Sequence, residues 1–143
     1  MNREFNQIYT KFIHSLNKSG RKKKASSIMK QVLLEIRSLA SREEVESIVT
    51  KGVTNIKPLV HLKSVRIAGV SYKIPYEIDE NKQYRTAIKW IVQGNSKSKH
   101  VNDASRIAQE IFKASKSQGT LIKKKEEIHK MSEQNRAYLH YRW

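Results

Sequence analysis

The chain has 143 residues, and its 29 lysines and arginines against 13 carboxylates leave a formal net charge of +16. It has no cysteine, which excludes disulfides and thiolate metal sites and allows a reducing compartment, and no apolar run approaches the roughly 20 residues of a membrane span. A body of this size with so one-sided a charge repels itself, and a polyanion is the first partner to consider.

Phe5, Ile8, Tyr9, Phe12, Ile13 and Leu16 recur at helical spacing and predict a first amphipathic helix. The opening residues lack the apolar block and cleavage site of a secretory signal, so a chain made where it works, or already trimmed, is expected. The segment KSGRKKK follows, with Lys18, Arg21, Lys22, Lys23 and Lys24 around Gly20 and no acid beside them. It predicts a solvated basic turn. A second helix carries Ile28, Met29, Val32, Leu33, Ile36 and Leu39 on its core stripe. Ser41 and Glu44 form the pattern of a capping box that starts a third helix. That helix faces the core with Val45, Ile48, Val49, Val53 and Ile56, is weakened by Gly52, and ends at Lys57-Pro58.

Val60 to Ile78 is the stretch that reads as paired strands. Its second half alternates at Val70, Tyr72, Ile74, Tyr76 and Ile78, the period of a half-solvated strand. The first half changes phase between Leu62 and Val65, which predicts a bulge near Ser64. Ala68-Gly69 supplies the turn, and Pro75 suits a strand with an unpaired edge. With Lys63, Arg66 and Lys73 and no carboxylate from Ser47 to Tyr76, the ribbon reads as a cationic arm that needs a partner.

Asp79 is placed to cap a fourth helix with Tyr84, Ala87, Ile88, Ile91 and Val92, ending at Gly94. A polar linker, NSKSKH, leads to a fifth helix from about Asn102, with Ala104, Ile107, Ala108, Ile111 and Phe112, closed by Gly119. The sixth starts near Thr120 and has few apolar anchors: Leu121, Ile122, Ile128 and Met131. Lys123, Lys124 and Lys125 are consecutive, so at about 100° per residue they cannot share a face. The tail interleaves Arg136, Tyr138, His140, Tyr141, Arg142 and Trp143, cations with flat rings that can stack on bases or on one another.

Turnover finds little support. Glu126, Glu127 and His129 lie close on one helix, but acids among lysines are ordinary i, i+4 partners, and no second carboxylate cluster completes a metal site. There is no HExxH, no P-loop and no glycine-rich phosphate cradle. No enzyme activity and no cofactor are expected. The basic segments are the better lead: Lys18 to Lys24, the stretch from Lys57 to Lys73, Lys113 with Lys116, and Lys123 to Lys125. Stacked beside the arm, they form one surface suited to a phosphate-rich target.

Several motifs resemble the small-subunit ribosomal protein seven family nearly from end to end. Phe12-Ile13, Gly20-Arg21-Lys22 and Ile28-Met29 resemble its N-terminal signature. LKSVRIAGVSYKIP resembles its basic hairpin, Ala87-Ile88-Lys89-Trp90 the helix after it, and GTLIKKKEEIHKMSEQNRAYLHYRW its C-terminus. The resemblance implies a non-enzymatic constituent of the small ribosomal subunit that binds the 3′ major domain of the small-subunit rRNA and helps assemble the head. It also implies an arm and last helix near the mRNA exit and the exit-site tRNA, beside head and platform proteins. Gly20 to Lys24, Lys63, Arg66, Lys73, Lys123 to Lys125, Arg136 and Arg142 become rRNA contacts, joined by Lys18, Lys57, Lys113 and Lys116 from the basic segments. Ala68, Gly69, Val70, Tyr72, Tyr138, Tyr141 and Trp143 become the mRNA- and tRNA-proximal set. Val65 stands where the family has one of two arginines, Ala68 where it has the first of two glycines, and its basic N-terminal extension is almost absent.

The expected fold is mainly α: a bundle of about six helices with one protruding basic β-hairpin arm between the third and fourth, as a single domain over residues 1–143. An architectural DNA binder of the bacterial histone-like type, which joins a helical body to basic ribbons and can wedge a proline into the duplex, is the alternative. Abundant Lys, Ile, Asn and Ser point to a mitochondrial ribosome, with a plastid or the bacterial cytoplasm as alternatives.

Overall fold

The computed structural model describes residues 3–40, 44–94 and 102–142. The linker 95–100, Ser41 of the expected capping box, and Trp143 lie outside the described residues. Among the described residues six α-helices run in order: α1 (Arg3–Leu16), α2 (Lys22–Leu39), α3 (Val45–Ile56), α4 (Glu80–Gln93), α5 (Asp103–Ser115) and α6 (Thr120–Gln134). Between α3 and α4 stands an antiparallel hairpin of β1 (Val60–Ile67) and β2 (Val70–Glu77), and a 3₁₀ segment, Arg136–Tyr141, follows α6. This is the helical bundle with an arm that the sequence predicts.

The apolar stripes meet in one core. Phe12, Met29, Val32, Ile36, Ile48, Val49, Val53, Ile56, Ile91 and Ile111 are all fully buried within it. Two of the apolar positions expected to pack inward are exposed instead: Leu39, at the last position of α2 (40%), and Met131 on α6 (37%). Gly52 does not weaken α3 so much as shape it. A Cβ there would sit 2.8 Å from the Ile111 carbonyl oxygen, so its missing side chain lets α3 and α5 approach closely. The same seam is closed at its end by Asn55, whose side-chain amide donates to the Ala114 carbonyl (2.9 Å).

Several helix ends differ from expectation. α3 begins at Val45, with Glu44 at the N-cap and no side-chain cap bond. At α4, Asp79 occupies the N-cap, but its carbonyl rather than its carboxylate takes the free N–H groups of Lys82 (2.8 Å) and Gln83 (2.9 Å). Gly119 does not close α5. Ser117 does, at φ 56°, as its N–H reaches Ala114 O and the N–H of Gln118 reaches Lys113 O. Gly119, at φ 110°, is instead the N-cap of α6. A non-glycine residue takes the left-handed position here, which a search for glycine overlooks.

The arm has no bulge. Pairing is unbroken from Val60↔Glu77 through Ser64↔Lys73 to Ile67↔Val70. The phase change in β1 has another cause: its two faces are covered at different heights. Val60 and Leu62 face a groove against α4 at the base, while Val65 shares its face with Tyr72, which packs on the 3₁₀ segment. Ala68 (φ 48°) and Gly69 (φ 83°) both take positive φ, the signature of a two-residue type I′ turn. Pro75 is buried opposite Leu62 at the arm's base rather than at its tip, so it is not placed as a duplex wedge.

Candidate nucleic-acid interface

The basic turn is built by backbone geometry. After α1, Ser19 (φ 55°) and Gly20 (φ 73°) turn the chain back, and Lys22, Lys23 and Lys24 open α2. No acid lies in that first turn, so three cations crowd the positive end of the helix dipole. α6 repeats the arrangement, with Lys123 to Lys125 near its start and no acid in its first turn. Both placements cost stability in the free chain, and both are relieved by a bound anion.

Beside this turn lies a cleft of about 1300 Å³ between α1, α2, α4 and the start of α5. Lys11, Lys18, Arg21 and Lys24 line one side, and Arg85 and Lys89 of α4 line the other. The acid in the lining, Asp103, lies 3.8 Å from Arg106, whose guanidinium donates to the Ile91 (3.2 Å) and Val92 (2.9 Å) carbonyls. Arg106 thus caps α4, while Arg85 and Lys89 have no ion-pair partner among the described residues. A cleft whose one lining acid, Asp103, already faces Arg106 leaves its other cations unneutralised and concentrates phosphate.

The sequence reading placed Lys18, Gly20, Arg21 and Lys24 in this region but missed Lys11, Arg85 and Lys89. A signal was available. Lys82, Arg85 and Lys89 recur at i, i+3 and i+7 on the exposed face of α4, a basic stripe at helical period.

Other expected contacts divide into free and engaged side chains. Lys57 is committed to the body, 15% exposed, 3.5 Å from Glu80 and 4.3 Å over the Tyr84 ring. Lys125 is half-buried and donates to the Asn55 carbonyl (2.6 Å), tying α6 to the end of α3. Lys123 is exposed, as is Lys124, which covers the Trp90 ring at 4.7 Å; the three consecutive lysines thus point different ways. Lys113 and Lys116 are exposed at the far end of α5, about 15 Å along the helix from the cleft's Asp103, so they are not part of it.

On the arm, Lys63 and Arg142 both lie over Tyr76, at 4.5 and 5.1 Å. Arg66 and Arg136 are exposed, Lys73 reaches the Met131 sulfur (3.9 Å), and Ala68, Gly69 and Val70 form an exposed tip. The tail rings meet one another and the arm: Tyr72 lies 4.9 Å from Tyr138 and 5.2 Å from Tyr141. These tyrosines therefore brace the arm against the 3₁₀ segment. His129 has a similar duty. Its Nε2 accepts the Leu59 N–H (3.2 Å) at the arm's foot, and burial, then the nearby Lys125 charge, hold it neutral below the ordinary histidine range. Glu126 and Glu127 are exposed on the same helix, and no group of three metal-ligating side chains occurs among the described residues.

Residues 2–136 match the family model of ribosomal protein S7p/S5e. The chain belongs to this family. It is 37% identical over 138 residues to the small ribosomal subunit protein uS7 of Campylobacter jejuni, covering 96% of this chain and 88% of that one. The uS7 of Petrotoga mobilis is 35% identical over 136 residues, covering 95% and 87%, and that of Onion yellows phytoplasma 33% over 137 residues, covering 96% and 87%. The family is one of structural proteins of the small ribosomal subunit, not of enzymes, and these relatives are bacterial.

Proposed function

We propose that this chain binds the 3′ major domain of the small-subunit rRNA without catalysis, and helps assemble the subunit head by neutralising phosphates where RNA helices converge. The observation that carries this reading is the cleft in which Lys18, Arg21 and Lys24 face Arg85 and Lys89 with no free acid between them. Phosphate contacts supply affinity and position, and the shape of the folded RNA supplies most of the selectivity. The exposed tip at Ala68 to Val70 and the tail near Tyr141 lie near the mRNA exit and the exit-site tRNA, beside neighbouring head and platform proteins. The whole chain works as one domain.

The test is the salt dependence of binding to the 3′ major domain transcript. A log-log slope of about −4 to −8 is expected for roughly 6 to 10 phosphate contacts, and reversing Lys24 and Lys89 together (Lys24→Glu, Lys89→Glu) should flatten it by about 2. A slope near zero, or equal affinity for duplex DNA, overturns the reading. The bacterial relatives lend no support to a mitochondrial compartment and fit the bacterial-cytoplasm alternative. Co-sedimentation with small subunits from fractionated cells separates the two.

A further inference from the structure

At the foot of the arm a second hollow, of about 500 Å³, opens between β1 and α4. Its floor and walls are apolar: Pro58, Val60, Leu62, Ile78, Trp90 and Ile128. Its charged side chains are both cations, Lys82 and Arg85. Lys82 is held 3.0 Å from Asp79, which leaves Arg85 as the uncommitted charge. Arg85 also lines the cationic cleft, so one guanidinium serves both places. A strand of phosphates following the cleft therefore passes this hollow.

We propose that the hollow receives one unpaired nucleotide of the bound RNA, its base against the apolar floor and its phosphate on Arg85. This rests on the RNA-binding reading above and adds to it a site that senses an unpaired base. The chemistry of the occupant follows from the lining. A nucleobase offers flat apolar faces that gain by leaving water, and it is tethered to an anion a few ångströms away. A purely apolar partner has no use for Arg85, and a phosphate alone has none for the dry floor. Burial, with Lys63 and Lys82 nearby, keeps the His61 imidazole in the lining neutral, so the wall adds no third charge. Selectivity of this kind falls on extruded nucleotides of loops and bulges, because paired bases cannot reach the floor.

The experiment compares the full chain with Thr86→Phe, which plugs the hollow from α4 without removing a charge, on the 3′ major domain transcript. Loss of one stacked base predicts binding about tenfold weaker at every salt concentration with an unchanged log-log slope. Short-wave ultraviolet crosslinking of the wild-type complex should join one nucleotide to the peptide containing Trp90, and the adduct should vanish in Thr86→Phe. Should that variant lose its helical circular dichroism, the wild-type crosslink decides alone. Unaltered affinity of a folded Thr86→Phe, or no RNA adduct on the Trp90 peptide while Lys24→Glu, Lys89→Glu still weakens binding, overturns the inference and spares the RNA reading. An adduct to another protein in the intact subunit instead of RNA also overturns it. Failure of the wild-type chain to bind the transcript removes both.

Discussion

The seam between α3 and α5 and the seam between the arm and the C-terminal segment hold the same chain together by different physics. At the first, Ile48, Val49, Val53, Ile107, Ala108 and Ile111 are essentially inaccessible to water, and Gly52 brings the helix backbones together. At the second, the Leu59 N–H on His129, the Tyr72 ring among Tyr138 and Tyr141, and Lys73 near the Met131 sulfur do the work. The first seam cannot yield without opening a void, which costs in proportion to its volume. The second fully buries one aliphatic side chain, Ile74, on the face it shares with Tyr72, and is otherwise made of single directional contacts, each worth about 1 kcal/mol or less, that water or a bound anion can replace. A rigid body carrying a largely replaceable hold on its cationic arm suits the proposed role, in which the surface settles onto folded RNA.

The largest effect should come from emptying the first seam. Ile111→Ala is expected to lower the free energy of unfolding by about 3 kcal/mol in urea titrations, as for a fully buried aliphatic side chain. A loss below about 1 kcal/mol would show that α3 and α5 close over the gap, and the contrast would fail. Gly52→Ala tests the same seam from the other side. Alanine gains about 1 kcal/mol of helix propensity, but its Cβ would meet the Ile111 carbonyl at 2.8 Å, a backbone atom that cannot swing aside. A net loss of about 1 to 2 kcal/mol is expected, and a gain would mean that the helices separate freely.

This seam also marks where sequence reading stops. The core stripes of α3 and α5 were legible because 3.6-residue periodicity is a local property, and so was the arm's alternation. In the sequence Gly52 looks like a weakness because propensity counts only the helix's own backbone; its use appears when Ile111, 59 positions away, is set against it. The bulge assigned near Ser64 failed for a related reason: which face of a strand is covered depends on what lies beside it at each height. At the interface, Lys18 to Lys24 stood out as a run, whereas Lys11, Arg85 and Lys89 join them only through the packing of α1 against α4.

Acid should act on the second seam and spare the first. His129 has its pKa lowered by burial and then by Lys125, and His61 has its own lowered by burial and then by Lys63 and Lys82. In the unfolded chain both titrate near 6.5, so the neutral rings contribute stability above that pH, and it is lost as pH falls from about 6.5 through the lower folded-state values. Protonation removes the acceptor for the Leu59 N–H, a loss of about 1 kcal/mol in the hold on the arm. Proton NMR should show the Leu59 amide and the Tyr72 ring shifting together below pH 6.5 while α3 and α5 resonances stay fixed. A joint shift of both sets would mean that the arm and body are one cooperative unit.

The smallest change sits at the arm's tip. Ala68 holds φ 48° in the turn that Gly69 completes at φ 83°, a conformation that costs an L-residue roughly 1 kcal/mol or slightly more. Glycine escapes that cost but brings about 0.5 to 1 kcal/mol of extra unfolded-state entropy. Ala68→Gly should therefore stabilise the hairpin by about 0.5 kcal/mol, seen as slower hydrogen exchange at Ile67 and Val70, which close the turn. Because the tip touches no part of the helical core, exchange at Val49 and Ile111 should not change. Slowing at both sites would tie the turn to the α3–α5 seam, whereas faster exchange at Val70 would mean that the turn is not held in the left-handed region.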